Sequence, residues 1–133
     1  MADKVEVRAQ VEQYKSMSPS QIALALAALS RALEKLQNDQ EPLEEDAVHK
    51  REAYTLEYST TFLAAEGNNE ERKQYTTWKT HDTRLAAELA ETLVKMHIAQ
   101  INTLRKRIDV ARSAAALVRA EWELMNVNQG SRR

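Results

Sequence analysis

The fold is decided by residues 69–125, NEERKQYTTWKTHDTRLAAELAETLVKMHIAQINTLRKRIDVARSAAALVRAEWELM, a stretch with neither Gly nor Pro. Within it, Val94, His97, Ile101, Leu104, Ile108, Ala111, Ala115, Val118, Trp122 and Met125 recur at alternating spacings of three and four residues. That repeat puts one apolar row on one helix face, the pattern of a long helix packing against other helices. At about 1.5 Å per residue, an unbroken helix here would reach roughly 85 Å, whereas a compact globule of this chain length is roughly 35 to 40 Å across. The row is therefore expected to be an oligomerisation surface covered by partner subunits, in at least a trimer, unless the helix bends. The one place where the sequence allows a break is 76–83, TTWKTHDT, with its β-branched residues and the cap-competent Asp82, and it leaves open whether the helix breaks there.

Working outward from that stretch, Gly67, Asn68 and Asn69 read as a tight reversal. Gly67 ends the preceding helix, and Asn68 or Asn69 caps the next one with Glu70 and Glu71 in its first turn. Before the reversal, Leu43 to Glu66 is helical in pattern, with Ala47, Tyr54, Tyr58, Phe62 and Ala65 on one face. Residues 37–42, QNDQEP, are expected to end an earlier helix, because Asn and Asp are poor helix formers and Pro42 disfavours a helical residue before it. That earlier helix opens with Ser18 as N-cap, Pro19 at the first helical position and Gln21 at the capping-box position. Its row of Ile22, Leu26, Leu29, Leu33 and Leu36 packs either on the long helix of the same chain or on another subunit. The expected organisation is a weak N-terminal helix or arm over 1–17, one helical oligomerisation domain over 18–125 and a flexible tail over 126–133.

Composition restricts the class. Two Gly and two Pro in 133 residues leave too little turn chemistry for an all-β fold, and an apolar content of 43% with only 5% aromatic residues suits thin helical seams. The class is all-α, a helical hairpin with one long coiled-coil-like helix, assembling into a helical oligomer. With no Cys there is no disulfide or thiolate site, and no apolar run approaches a membrane span. A soluble, cytoplasmic protein is expected. Residues 1–49 carry five basic and nine acidic side chains, and residues 50–133 carry fourteen and eleven. An acidic head thus precedes a mildly basic body, which permits a polyanionic partner without demanding one.

No phosphate loop, nucleophile elbow, zinc motif or cysteine nucleophile is present, so no enzyme, metal or cofactor is expected. Asp46 and His49 have the spacing of half a di-iron motif, without the other half. His97, among apolar row residues, reads as a core histidine whose hydrogen bond fixes register. The informative constellation is basic. Arg105, Arg112 and Arg119 stand one heptad apart beside the apolar row, with Lys106 and Arg107 adding charge at its start. With a step of roughly 10 Å, they can track a phosphate backbone or pair with glutamates of a neighbouring helix. A second group, Lys50 and Arg51 with Tyr54 and Tyr58, is joined across the turn by Arg72 and Lys73. Basic residues interleaved with aromatic rings suit single strands, whose bases stack.

The order of these features resembles the UvsY-type recombination mediators of tailed phages over residues 48–125. The shared elements are Leu56, Glu57 and Tyr58 on a basic helix, Gly67 at the turn, Lys79 and Thr80 followed by Asp82, a long helix, and a close at Arg119, Ala120 and Glu123. The resemblance implies a ring-like or otherwise closed homo-oligomer with no active site, located in the cytoplasm of an infected host cell. It would bind single-stranded DNA, displace a single-strand-binding protein and load a RecA-like recombinase. The alternative is a coiled-coil structural or regulatory protein, such as a phage assembly chaperone or a protein inhibitor, that binds no nucleic acid.

Overall fold

The computed structural model describes residues 2–130, and the expected disorder of Arg132 and Arg133 lies outside that range. Four helices follow in order: α1 (Ala2–Lys15), α2 (Pro19–Ala64), α3 (Asn69–Lys79) and α4 (His81–Gly130), with no strand among the described residues. The protein is all-α. α4 continues five residues beyond the helix end expected at Met125.

The helix ends are built as local chemistry dictates. At the start of α2, the Ser18 amide donates to Gln21 Oε1 at 2.9 Å while the Gln21 amide donates to Ser18 Oγ at 3.3 Å. This reciprocal box satisfies two of the donors that a helix start leaves unpaired. At the other end, Gly67 has φ +109°, and a Cβ there would lie 2.3 Å from Glu71 Oε2. Only Gly fits both conditions without strain. Asn68 then caps α3, its side-chain oxygen accepting from the Glu71 amide at 2.9 Å.

Two expectations about helix continuity need correction or completion. Residues 37–42 do not end a helix, since α2 runs through Pro42 for 46 residues. Pro42 itself is exposed, while Ile22, Leu26, Leu29, Leu33, Leu36, Gln40, Leu43 and Ala47 are buried or half-buried at unbroken spacings of four and three. The packed row keeps its phase through the proline, so packing offsets a penalty of about 3 kcal/mol for an interior proline. The long stretch does break, at Thr80. That residue has φ −97° and ψ 12°, yet its amide still donates to the Thr76 carbonyl and its own carbonyl accepts from the Arg84 amide. Thr76, Thr80 and Thr83 each return their hydroxyl to a backbone carbonyl at 2.7 to 3.0 Å. Such back-bonding bends a helix without unwinding it.

The chain forms two compact units, one of residues before Leu36 with those after Gln100, the other of Leu36–Gln100. In the first, α4 buries Ile101, Leu104, Ile108, Ala111, Ala114 and Val118, and Ile22 of α2 is completely covered. Glu6, Val7 and Gln10 of α1 line one groove with Thr103, Lys106, Arg107 and Val110 of α4. In the second, Ala47, Thr76, Thr80, Ala87, Ala90 and His97 are buried. The His97 ring bonds the Leu36 carbonyl through Nε2, and Arg51 reaches Glu91. Later residues of α2 thus pair with earlier residues of α4, so these segments run antiparallel within the unit.

The apolar row of α4 was expected to need partner subunits for cover. The finding is different: His97, Ile101, Leu104, Ile108, Ala111 and Val118 are buried and Val94 and Ala115 half-buried within the single chain, and only Trp122 and Met125 are exposed. Because α2 does not stop at Pro42, each unit contains segments of both α2 and α4, enough to cover its own part of the row. The length argument for an obligate oligomer through this row therefore fails.

Candidate nucleic-acid interface

The basic residues singled out in the sequence divide into two kinds. In the unit of Leu36–Gln100 most are held by structural partners. Arg51 Nε and Nη2 donate to the two carboxylate oxygens of Glu91 at 2.6 and 2.8 Å, with the guanidinium 5.5 Å from the Tyr54 ring centre. This two-point bond holds the Glu91 carboxyl below the usual carboxylate range and raises the already high value of Arg51, in both cases against the opposing effect of desolvation. Arg72 donates through Nε and Nη2 to the Phe62 carbonyl at 3.2 and 2.8 Å and lies 4.4 Å from the Phe62 ring centre. It fastens α3 to the last turn of α2, where the Phe62 carbonyl also accepts from the Ala65 amide at 3.3 Å. Lys50 pairs locally with Asp46 at 2.9 Å, and Lys73 is exposed without an ion pair among the described residues.

Tyr54 and Tyr58 are half-buried and belong to a ring stack. Their centroids are 6.0 Å apart, and Tyr58 lies parallel to Phe62 at 6.4 Å. Rings so engaged lend one edge to packing and offer little face to a nucleobase. The expected grouping of Lys50, Arg51, Tyr54, Tyr58, Arg72 and Lys73 into one open DNA-binding patch is therefore not what the side chains form.

The other unit contrasts with this. Arg105, Lys106, Arg112 and Arg119 are all exposed, and none forms an ion pair among the described residues. Salt bridges from this flanking row to a neighbouring helix are absent among the described residues. Three guanidinium groups one heptad apart remain open on α4, beside the buried row, with a step of roughly 10 Å.

One group escaped the sequence reading. Trp78 is 75% exposed and Tyr75 43% exposed, their ring centroids 6.3 Å apart at 43°, with Lys79 Nζ 5.7 Å from the Tyr75 ring centre and 3.3 Å from its hydroxyl. A large aromatic ring left mostly in water is unusual, since burial of Trp is strongly favourable. The signal was available: the inward row of α3 and its C-cap is Arg72, Thr76 and Thr80, and Trp78 falls off it. An open indole beside a tyrosine and a lysine has the make-up of a base-stacking platform.

Among the described residues no group of three or more His, Asp or Glu side chains is placed to hold a metal ion, and no helix is long and apolar enough to cross a membrane. No family model, curated protein or solved structure matches the chain.

Proposed function

We propose that the protein is a non-enzymatic recombination mediator that binds single-stranded DNA as a homo-oligomer and loads a RecA-like recombinase onto strands covered by single-strand-binding protein. In this reading the helices form a coiled-coil-like hairpin that multiplies in the oligomer. The observation that carries it is the row of Arg105, Arg112 and Arg119, exposed and without ion pairs among the described residues. Arginines that form no ion pair among the described residues are suited to displacing counterions from a phosphate backbone. The exposed Trp78, Tyr75 and Lys79 add a surface on which bases can stack. Several such weak sites on one oligomer would hold a strand at high effective concentration, which removes the objection that the net charge is only −1. The resemblance of residues 48–125 to UvsY-type mediators supplies the recombinase and the single-strand-binding protein.

A second reading, a coiled-coil scaffold or regulator without nucleic-acid binding, is favoured by the large aliphatic side chains that α4 leaves in water, Leu85, Leu89, Leu93 and Met96 among them. Fluorescence anisotropy of a labelled single-stranded oligonucleotide at several salt concentrations separates the two. The mediator gives binding that weakens steeply with salt. A scaffold gives no binding at any salt concentration, and that result would overturn the proposal.

A further inference from the structure

Leu85, Leu89, Leu93 and Met96 are 45, 57, 52 and 56% exposed. Their spacing of four, four and three puts them on one face of α4, roughly 120° around the helix from the buried row of Ala87, Ala90, Val94 and His97. A continuous row of four large aliphatic side chains in water is the mark of a contact surface, since each leaves about half its apolar area unburied. The row is short and closed at both ends by polar residues, Asp82 before it and Gln100 after it.

The charges beside the row indicate what covers it. Glu88 and Lys95 stand one heptad apart on the same flank, both exposed; Glu88 acts at a distance on Arg51 and Lys95 on Glu91, but neither closes to an ion pair among the described residues. In a parallel pair of helices this flank faces the position five residues further on, which for Glu88 is Leu93 and for Lys95 is Gln100, so neither charge is answered. In an antiparallel pair about a two-fold axis near residues 90 and 91, the flank faces itself with reversed direction. Glu88 then lies opposite Lys95 of the second copy, and Lys95 opposite its Glu88. The same register sets Met96 over Leu85 of the second copy and Leu93 beside its Ala86, small enough to admit it.

We propose that the face of Leu85, Leu89, Leu93 and Met96 is an isologous, antiparallel contact with a second copy of this chain, locked in register by the two Glu88–Lys95 pairs. It rests on the homo-oligomer part of the function proposed above and replaces the row from Val94 to Met125 as the surface that makes the oligomer. Because the contact is isologous, it closes at two chains.

Light scattering on the full chain at about 50 μM tests it directly, a concentration at which micromolar dimers are mostly assembled. The parent is expected at twice the 15.2 kDa chain mass. Leu89→Lys with Leu93→Lys should give single chains with unchanged helicity by circular dichroism, since both residues face water in the chain. Glu88→Lys should weaken association about tenfold, and Glu88→Lys with Lys95→Glu should restore it to within about threefold of the parent. A monomeric parent would overturn the proposal. So would an oligomer whose mass survives the two lysines, or a double charge swap that stays as weak as Glu88→Lys, which would point to a parallel pair or a different protein partner. The anisotropy titration is read separately: a parent that dimerises without binding DNA overturns the mediator function and leaves this contact standing, and a parent that binds DNA as a single chain overturns this contact and the homo-oligomer part of that function while leaving its DNA binding.

Discussion

Arg51 and Arg72 in one unit, and Arg105, Arg112 and Arg119 in the other, are the same residue type on the same kind of helix, yet they do opposite work. The first two lie where helices meet, and each donates twice to a fixed acceptor, a carboxylate in one case and the helix-end Phe62 carbonyl in the other. The guanidinium fork matches both, so geometry fixes them as fasteners. The other three stand on a flank of α4 where they form no ion pair among the described residues, and their charge is left to solvent or a ligand. The lesson is that a basic residue beside an aromatic ring in sequence is not evidence of an open binding surface. What matters is whether the fold supplies an anion first.

That contrast can be broken most sharply at the open row. Changing Arg105, Arg112 and Arg119 together to Gln should lower single-strand affinity about a hundredfold near 0.1 M salt, and reduce the slope of log K against log salt by about 2. Helicity and thermal midpoint should hold, because Gln is a good helix former and no ion pair among the described residues is lost. A lower midpoint with unchanged DNA binding would make these arginines structural after all.

Arg72→Ala should show the reverse pattern. Loss of two hydrogen bonds to the Phe62 carbonyl and of the contact with its ring should destabilise the fold by about 2 kcal/mol in urea titration. The DNA affinity of the folded fraction should be unchanged. If affinity falls while stability holds, the fastener assignment is wrong.

The Arg51 bond to Glu91 predicts a pH signature. Glu91 is held below its unfolded carboxylate value, so the pair's contribution is complete above that value and is lost as pH falls through the lowered folded one. In acid titrations followed by circular dichroism, Arg51→Gln should be less stable than the parent near neutrality, with the difference shrinking in the acid range. A constant difference down to about pH 2 would show that Arg51 acts through packing instead.

The smallest effect is expected at Lys50. Among the described residues it pairs only with Asp46 one turn away, both half in water, and Lys50→Gln should leave stability and DNA binding within error. A marked loss of DNA binding would restore the part of the contrast that assigned this helix to the DNA.

What the sequence determined by itself is everything set by neighbours within a turn or two. The all-α class, the capping box at Ser18 and Gln21, the reversal at Gly67 and Asn68, and the alternating row of α4 are statements about spacing, backbone dihedrals and unpaired amides. Each can be read without knowing what lies across from it. The tertiary structure decided the rest, because every remaining question is about partners distant in the chain. Pro42 and the threonines before Asp82 look alike as helix breakers. α2 nonetheless passes through Pro42, because the packed row from Leu33 to Ala47 keeps its phase there. At Thr80 the threonine hydroxyls turn back onto carbonyls and the helix is interrupted. The row from Val94 to Val118 announced burial, but whether its cover came from the same chain or another depended on how far α2 extended. The open or closed state of each arginine depended in turn on which carboxylates and carbonyls the packing brought within reach. Periodicity is a local property of the chain, and the identity of the surface that answers it is not.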